Sequence, residues 1–389
     1  MNAFHYSCEG ESHKANNKVC QDYSLTSTTD GLTIAIVCDG HGGERYFRSD
    51  IGAKYAAEVT LEAVSLFVEQ IDEKLFIHQP YTAVGPTSDI EDVEQLSPID
   101  IAFRQLFSSI IYKWNERIEE HFKSTALTEW EQENVPQKYL DEFAEATSLE
   151  KHYGCTLMVY AQTPKYWFAF HIGDGKCIAF QTDPIWQEPI PWDERCFLNK
   201  TTSICDSSAI DEFRYCYQGD GKYPIAIFLG SDGIDDSFGE DENLVNFYIQ
   251  IMKMLVNEGQ EVTTHSIEEE LPQLSAIGSR DDMSIACVYD EQELQLHIED
   301  FLGYQIQIAQ EAIAQVEERL ESLTRKLESL KDEKEENEKA KIEATYAQQG
   351  IDSATETLQK LKSRLETLKQ QQNPTQQTQS DNSEEIDEE

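Results

Sequence analysis

Short apolar runs of strand length recur along residues 1–290. Each is rich in Val, Ile, Phe, Tyr or Thr and stops at Gly, Asp, Asn or Pro, a pattern typical of β-strands. The runs are FHYSCE, DYSLTST, LTIAIVCD, CTLMVYAQ, YWFAFHIGD, KCIAFQT, PIAIFLGSD and MSIACVYD. They come in hairpin-like groups rather than in strict alternation with helices, so the pattern predicts an α+β layered sandwich.

Helical periodicity appears between these groups. Apolar residues at i, i+3, i+4 and i+7 predict helices over 49–71, 100–122 and 240–259. Turn-forming residues over 79–98 predict a surface loop.

The pattern changes after about residue 300. Apolar residues follow the alternating four- and three-residue spacing of a coiled-coil seam over 302–330 and again, in shifted phase, over 351–368. Residues 300–370 therefore form either one long helix that pairs with another chain or two helices that fold back as an antiparallel hairpin. Gly350 favours the hairpin, because glycine weakens a continuous helix by ~1 kcal/mol relative to alanine. The polar, acidic residues 371–389 predict a disordered tail.

Composition narrows the range of partners. The chain has 389 residues, a hydrophobic fraction of 39% and a formal net charge of −43. That charge argues against nucleic-acid binding, which needs clusters of Lys and Arg. No run approaches the ~18 apolar residues of a membrane span, and the N-terminus lacks the features of a signal peptide. The 9 cysteines include no CxxC pair and predict reduced, buried thiols. We therefore expect a cytoplasmic protein.

Aspartates recur where the predicted strands begin or end. Asp39 closes TIAIVC, Asp174 and Asp232 follow strands in HIGDG and LGSDG, and Asp22 and Asp281 precede strands. A lone Asp-Gly pair is usually a turn, but this repetition predicts that the carboxylates meet. Like charges at close range raise one another's pKa, and a hard divalent metal with oxygen ligands relieves the repulsion. The sequence therefore predicts a metal centre built from aspartates.

The segment DGHGG sharpens this prediction. Its glycines let the backbone approach an ion, so that a backbone carbonyl can serve as a ligand. His41 is either a turn histidine or, beside hard metals, a general acid with an ordinary pKa near ~6.5. The sequence has neither a GxSxG motif nor a Cys-x5-Arg loop. The attacking group is therefore interpreted as a water activated by metal, as in two-metal phosphoryl hydrolysis.

In chain order, N-x-x-x-QD, DGHGG, GCTLMVY, HIGDGK, SDG and GSRDDMS resemble the motifs of metal-dependent type 2C (PPM) serine/threonine protein phosphatases, closer to the bacterial branch. The resemblance predicts a phosphatase domain over 1–295. It implies a four-layer sandwich with two central antiparallel β-sheets flanked by helices. It also implies hydrolysis of phosphoserine and phosphothreonine in protein substrates.

The resemblance also implies the metal ligands. Asp39 would bridge two Mg²⁺ or Mn²⁺ ions, and Asp232 and Asp281 would complete the shell of the first ion. The carbonyl of Gly40, together with Asp22 directly or through water, would hold the second ion.

Three further roles follow from the resemblance. Asp174, helped by Asp232, matches the weaker third metal site of the family. His41 falls where the family has its general acid. Thr156 lies in a packing motif and is interpreted as structural.

The chain departs from the family pattern at the substrate phosphate. The family often carries an Arg before the first acidic pair, whereas the segment HKANNKVCQD offers only His13, Lys14 and Lys18 as cations. Lys18 and His13 are the predicted phosphate-binding residues, although lysine lacks the bidentate fork of arginine. Gln21 stands where many members have Glu, and Asp282 stands at the usual Asn.

Residues 66–150 exceed the family minimum and are interpreted as an insert, either an extra helical layer or a docking surface for substrate or partner. The main alternative to an active enzyme is a pseudophosphatase or scaffold that acts through the coiled coil. A phosphatase of small phosphoesters is a third hypothesis. The coiled coil itself is interpreted as a device for self-association or regulator binding.

Overall fold

The computed structural model describes residues 1–87, 96–197, 200–330 and 338–372 of the 389-residue chain. The chain divides into two compact units, Met1–Gln295 and Leu296–Glu389.

Antiparallel pairing joins the strands of the first unit into two sheets. The strands are β1 (Asn2–Cys8), β2 (Tyr23–Thr29), β3 (Leu32–Cys38), β4 (Thr82–Val84), β5 (Leu157–Gln162), β6 (Trp167–Ile172), β7 (Lys176–Phe180), β8 (Trp186–Gln187), β9 (Arg214–Gln218), β10 (Ala226–Gly230) and β11 (Met283–Tyr289). One sheet has five strands in the order β1-β11-β10-β7-β8, and the other has six in the order β2-β3-β5-β6-β9-β4.

Helices flank the two sheets and continue to the end of the described chain. They are α1 (Glu11–Asn16), α2 (Ser49–Gln70), α3 (Pro98–Ser124), α4 (Glu129–Asn134), α5 (Gln137–Ala144), α6 (Ala209–Glu212), α7 (Asp232–Phe238), α8 (Asp241–Glu258), α9 (Gln260–Ile277), α10 (Glu291–Ser329) and α11 (Glu338–Gln372). Short 3-10 turns cover Glu73–Leu75 and Leu149–Tyr153.

The alternation of side chains along each strand builds two separate cores. In β3, Ile36 faces the core shared with α2 and α3, whereas Val37 faces the core between the sheets. In β10, Leu229 also faces the inter-sheet core, and Phe228 stacks on Tyr248 of α8 with ring centroids 4.4 Å apart. The layers are therefore helix, sheet, sheet and helix, which confirms the predicted α+β four-layer sandwich followed by a helical region.

Every predicted strand coincides with a strand of the structure, and the predicted helices coincide with α2, α3 and α8. The elements that lie where none was predicted include β9 and α9, together with the short α1, β8, α6 and α7. The loop predicted over 79–98 contains β4, and residues 88–95 of it lie outside the described residues.

In the second unit, α10 and α11 contact each other in antiparallel order. Lys362 Nζ lies 2.8 Å from Glu317 Oε1. Closer to the end of α10, a Cβ on Gly350 would lie 3.1 Å from Leu323 Cδ1, so glycine permits a close approach here. Leu330 packs with Ala344 at the end of the pair. The predicted tail over 371–389 falls outside the described residues from 373 onward.

Across the four described segments, no helix is long and apolar enough to cross a bilayer. All the cysteines are free, and all except Cys20 are buried.

Candidate metal centre

The first two carboxylates are brought together by one hairpin. Asp22 immediately precedes β2, and Asp39 immediately follows β3. In the antiparallel register, Tyr23 at the start of β2 lies opposite Cys38 at the end of β3. The two aspartates therefore leave the same end of the hairpin.

The other predicted carboxylate ligands lie at one end of the strands of the five-stranded sheet. Gly230, the last residue of β10, lies opposite Lys176 at the start of β7 and opposite Ile285 near the start of β11. The connections at this edge carry the three remaining predicted carboxylate ligands: Asp174, Asp232 and Asp281.

These carboxylates form one cluster, since the charges of some raise the pKa of others. Burial, and then the charges of Asp232 and Asp22, raises the pKa of Asp39 well above its ordinary range. Burial also raises the pKa of Asp232 to about 6, with Asp174 and Asp281 as repulsive neighbours, and its side chain hydrogen-bonds that of Asp39. Asp39 and Asp232 therefore favour a bound proton or cation over two free negative charges.

Asp22 lies deepest in the cluster. It is 7% exposed, and burial, followed by the charge of Asp282, raises its pKa well above the ordinary range. Ser231 hydrogen-bonds its side chain, yet among the residues that the structure describes its Oδ2 atom has no partner. A buried oxygen without a partner costs free energy, which a cation would offset.

The donor set fits a hard divalent ion. The predicted ligands are carboxylates and a backbone carbonyl, which suit Mg²⁺ or Mn²⁺. Asp281 is exposed at the rim, and its ligand atom lies within 4.8 Å of those of His13 and Asp282. The residues predicted as ligands from the sequence are thus gathered at one edge of the sandwich.

The DGHGG turn is held in place by its backbone. Thr156 Oγ1 accepts a hydrogen bond from the Asp39 amide at 3.0 Å, and the Thr156 amide donates to the Asp39 carbonyl at 2.8 Å. A Cβ on Gly40 would lie 2.3 Å from the carbonyl oxygen of Gln21. Only glycine allows the Asp22 and Asp39 segments to approach this closely.

His41 is mostly buried, and its ring contacts the segment before β9. Nε2 lies 2.7 Å from Ser203 Oγ, and the ring meets Tyr46 edge-on with centroids 4.8 Å apart. Ser203 Oγ donates to the carbonyl of Cys155 at 2.9 Å, so it accepts from His41. Burial lowers the pKa of His41 to about 4, which makes the imidazole neutral at pH 7.

Asp282 and Gln21, which depart from the family pattern, both have structural reasons. Asp282 Oδ1 accepts the Gly10 amide at 2.6 Å, and Oδ2 accepts the Gln21 amide at 2.5 Å and lies 2.9 Å from His13 Nδ1. Both oxygens accept, which an asparagine cannot reproduce. Gln21 Nε2 donates to Ser49 Oγ at 2.5 Å, a bond that an ionised Glu could not donate.

The two predicted phosphate-binding residues are placed differently. Lys18 Nζ donates to the carbonyl of Gly42 at 3.3 Å, so its charge lies beside the DGHGG turn. His13 is 7% exposed, and its hydrogen bond to Asp282 raises its pKa. Lys18 is therefore the better placed of the two.

Sequence reasoning missed two residues of this site. Asp236 adds negative charge near Asp174 and Asp232. Its four-residue spacing from Asp232 places both on one face of α7, and this spacing could have revealed it. Ser203 carries no motif, and its bond to His41 spans 162 residues, so no local signal indicated it.

The family model described as "Protein phosphatase 2C" matches residues 9–272. This chain belongs to the protein phosphatase 2C family. The membership confirms the resemblance stated from the motifs, and it identifies the enzyme class as a serine/threonine protein phosphatase.

Solved structures with partial likeness include a bacterial serine phosphatase, at 13% identity and a TM-score of 0.42, with 75% of this chain and 99% of that chain covered. A serine/threonine phosphatase from Staphylococcus aureus has 12% identity and a TM-score of 0.43, with 75% and 95% covered. A sex-determining protein from C. elegans has 14% identity and a TM-score of 0.44, with 77% and 67% covered. No curated protein matches the chain.

Proposed function

We propose that this protein phosphatase 2C family member hydrolyses phosphoserine and phosphothreonine in proteins, and that it does so only with bound divalent metal. The observation that carries the proposal is the mutual repulsion of the buried Asp39 and Asp232 carboxylates beside an Asp22 oxygen that has no partner among the described residues. A cluster of this kind is electrostatically unfavourable without a cation.

The ligands would be divided along the two sheets. Asp39 would bridge two ions of Mg²⁺ or Mn²⁺, with Asp232 and Asp281 on one ion, and with Asp22 and the Gly40 carbonyl on the other. When bound, such ions would stabilise negative charge on the phosphoryl group and lower the pKa of water.

A third, weaker ion would lie nearer Asp174, which Thr201 hydrogen-bonds. The nearby charge of Asp236 supports this assignment, because burial and Asp236 both raise the pKa of Asp174.

His41 is proposed to assist the leaving group. Its Nε2–H is donated to Ser203, so the proton for the departing oxygen would be carried on Nδ1. Burial lowers the pKa of His41 to about 4, and the negative charge of a bound substrate phosphate would favour protonation of the ring. Lys18 is proposed to hold the substrate phosphate as a point charge, as its position beside Gly42 supports.

Leaving-group dependence tests the role of His41. Loss of a group that assists departure slows esters with poor leaving groups more than those with good ones. We therefore expect His41→Gln to lower kcat about 100-fold on a phosphothreonine peptide but only a few-fold on 4-nitrophenyl phosphate. Equal losses on the two substrates would contradict the role.

Two broader proposals rest on less local observations. The free, mostly buried cysteines support a cytoplasmic, reducing location. The paired helices α10 and α11 are proposed as the surface for self-association or for a regulator. Size-exclusion chromatography with light scattering on the full chain tests the first of these two uses.

A further inference from the structure

A cleft of about 610 Å³ is lined by neighbours in sequence of two proposed metal ligands but by none of the proposed ligands themselves. Residues within 16–21, 42–51 and 128–136 line it, and we call it the insert cleft. Two of the lining residues, Gln21 and Gly42, are close in sequence to the proposed ligands Asp22 and Gly40. The cleft has the volume of a typical binding pocket.

Its third wall belongs to the insert and is fixed by a buried ion pair. Arg48, which directly precedes α2, is 1% exposed, and Glu131 of α4 is 6% exposed. The guanidinium meets the carboxylate through two bonds, Nε to Oε1 at 2.6 Å and Nη2 to Oε2 at 3.1 Å. Arg48 also donates to Tyr153 Oη and to the Ala126 carbonyl. The wall is therefore held rigidly against the segment that follows the DGHGG turn.

The surface of the insert cleft combines exposed apolar groups with carboxylates. Trp130 of α4 is 40% exposed and Val19 on another wall is 61% exposed. Glu44 and Asp50 also line the cleft, and within the described segments neither forms an ion pair. The positive charge of Arg48 is neutralised by Glu131.

This chemistry selects one kind of occupant. Exposed aromatic side chains are preferred anchors of protein contacts, and unpaired carboxylates attract cations in a chain whose net charge is already −43. A bound segment would therefore bring basic and apolar side chains. Because Lys18, the proposed phosphate-binding residue, lines the cleft, that segment would be continuous with the phosphorylated residue.

We propose that the insert cleft binds the polypeptide on one side of the phosphorylated residue and selects substrates with a basic and an apolar side chain there. This inference rests on the proposed function, because it names the substrate class of that same site. Lys18 would face the phosphate end, and Trp130 and Asp50 would face the flanking residues.

The test compares kcat/KM for two phosphothreonine peptides, one flanked by Arg and Leu and one by Glu and Gly, with 4-nitrophenyl phosphate as the third substrate. The wild type should favour the Arg/Leu peptide about tenfold, equivalent to ~1.4 kcal/mol. Trp130→Ala and Asp50→Asn should each remove most of that preference through KM. Both variants should keep turnover of the small ester within about twofold, which also shows that they fold.

Matched controls lie on the outer face of α3. Tyr112 is 64% exposed and Glu120 is exposed, and neither lines the cleft. Tyr112→Ala and Glu120→Gln should retain the preference. Absence of a preference in the wild type, or a loss in Trp130→Ala and Asp50→Asn that is equal for peptide and small ester, overturns the proposal.

Binding separates this proposal from the proposed function. Fluorescence anisotropy of the labelled Arg/Leu phosphopeptide, measured with Mn²⁺ present, needs no turnover. One outcome is that the wild type binds the peptide without turnover and that Trp130→Ala binds it about tenfold more weakly. This outcome would support the cleft and reject the phosphatase proposal. No binding difference between the two peptides would reject the cleft even in an active enzyme.

Discussion

Ser203 Oγ lies 2.7 Å from Nε2 of His41, so a residue from the segment before β9 orients the ring that follows Asp39 and Gly40. The same hydroxyl donates to the Cys155 carbonyl and accepts the Cys205 amide at 3.3 Å. This fixes the ring position from outside the DGHGG turn.

Removal of this hydroxyl should impair catalysis rather than metal binding. We expect Ser203→Ala to lower kcat about tenfold on a phosphothreonine peptide, because the His41 ring loses its acceptor. KM and the calorimetric affinity for Mn²⁺ should change less than twofold. Ser208 is exposed, so Ser208→Ala serves as the control. A fall in metal affinity that matches the fall in kcat would contradict a role in positioning His41.

The close approach at Gly40 predicts a severe effect of a single methyl group. In Gly40→Ala the new Cβ would lie 2.3 Å from the Gln21 carbonyl, which forces the two ligand segments apart. Activity should fall at least about 100-fold, with weaker Mn²⁺ binding by calorimetry. Gly31→Ala is the control, since a Cβ there meets nothing within 4 Å. Wild-type metal affinity in Gly40→Ala would contradict this account.

The raised pKa of Asp232 predicts how stability depends on pH. Its pKa in the folded chain is about 6, against an ordinary value of 3.8, so the folded state holds the proton more tightly than the unfolded state. Its contribution to stability is present below the ordinary value and is lost as pH rises through about 6. The Tm of the metal-free wild type minus that of Asp232→Asn should therefore fall across this window.

Calorimetry in a chelator, at a series of pH values from 3.8 to about 6, measures this difference in Tm. Mn²⁺ should raise the Tm of the wild type more at the upper end of the window, since protons compete with the ion for Asp39 and Asp232. A Tm difference that stays constant with pH would show that Asp232 is not the titrating group.

The buried pair of Arg48 and Glu131 predicts a large stability effect. Arg48→Met leaves a buried carboxylate without its partner and should cost about 3–5 kcal/mol in urea unfolding. The double variant Arg48→Met/Glu131→Leu should recover most of that loss. The surface pair of Arg117 and Glu62, at 3.3 Å, provides the control, since Arg117→Met should cost less than ~1 kcal/mol. A double variant no more stable than Arg48→Met would contradict the prediction.

Most of the fold could be predicted from local patterns in the sequence. The apolar runs before Asp39 and Asp232 predicted β3 and β10, which lie in different sheets. By contrast, β9 was missed because Arg214, which is 1% exposed, starts it with a charge. The helix α9 contains Pro272, which usually marks a helix boundary.

The site was predictable where a motif is local and unpredictable where it depends on tertiary contact. Asp22, Asp39 and Asp232 could be found because each adjoins a strand. The bonds of Asp282 to Gly10 and of His41 to Ser203 join segments 272 and 162 residues apart. Only the packing of the two sheets and their connections brings such partners together.

A titration with metal tests whether the carboxylate cluster binds the ions that turnover requires. Mn²⁺ is added to the metal-free chain while heat of binding and release of phosphate from a phosphothreonine peptide are followed in parallel. We expect no turnover in chelator and turnover that rises in step with metal binding. Asp39→Asn should lose both metal binding and turnover. Asp30, at the far end of the same hairpin, provides the control, and Asp30→Asn should behave as wild type. Turnover in chelator, or undiminished binding and turnover in Asp39→Asn, would contradict a metal-dependent phosphatase built on this carboxylate cluster.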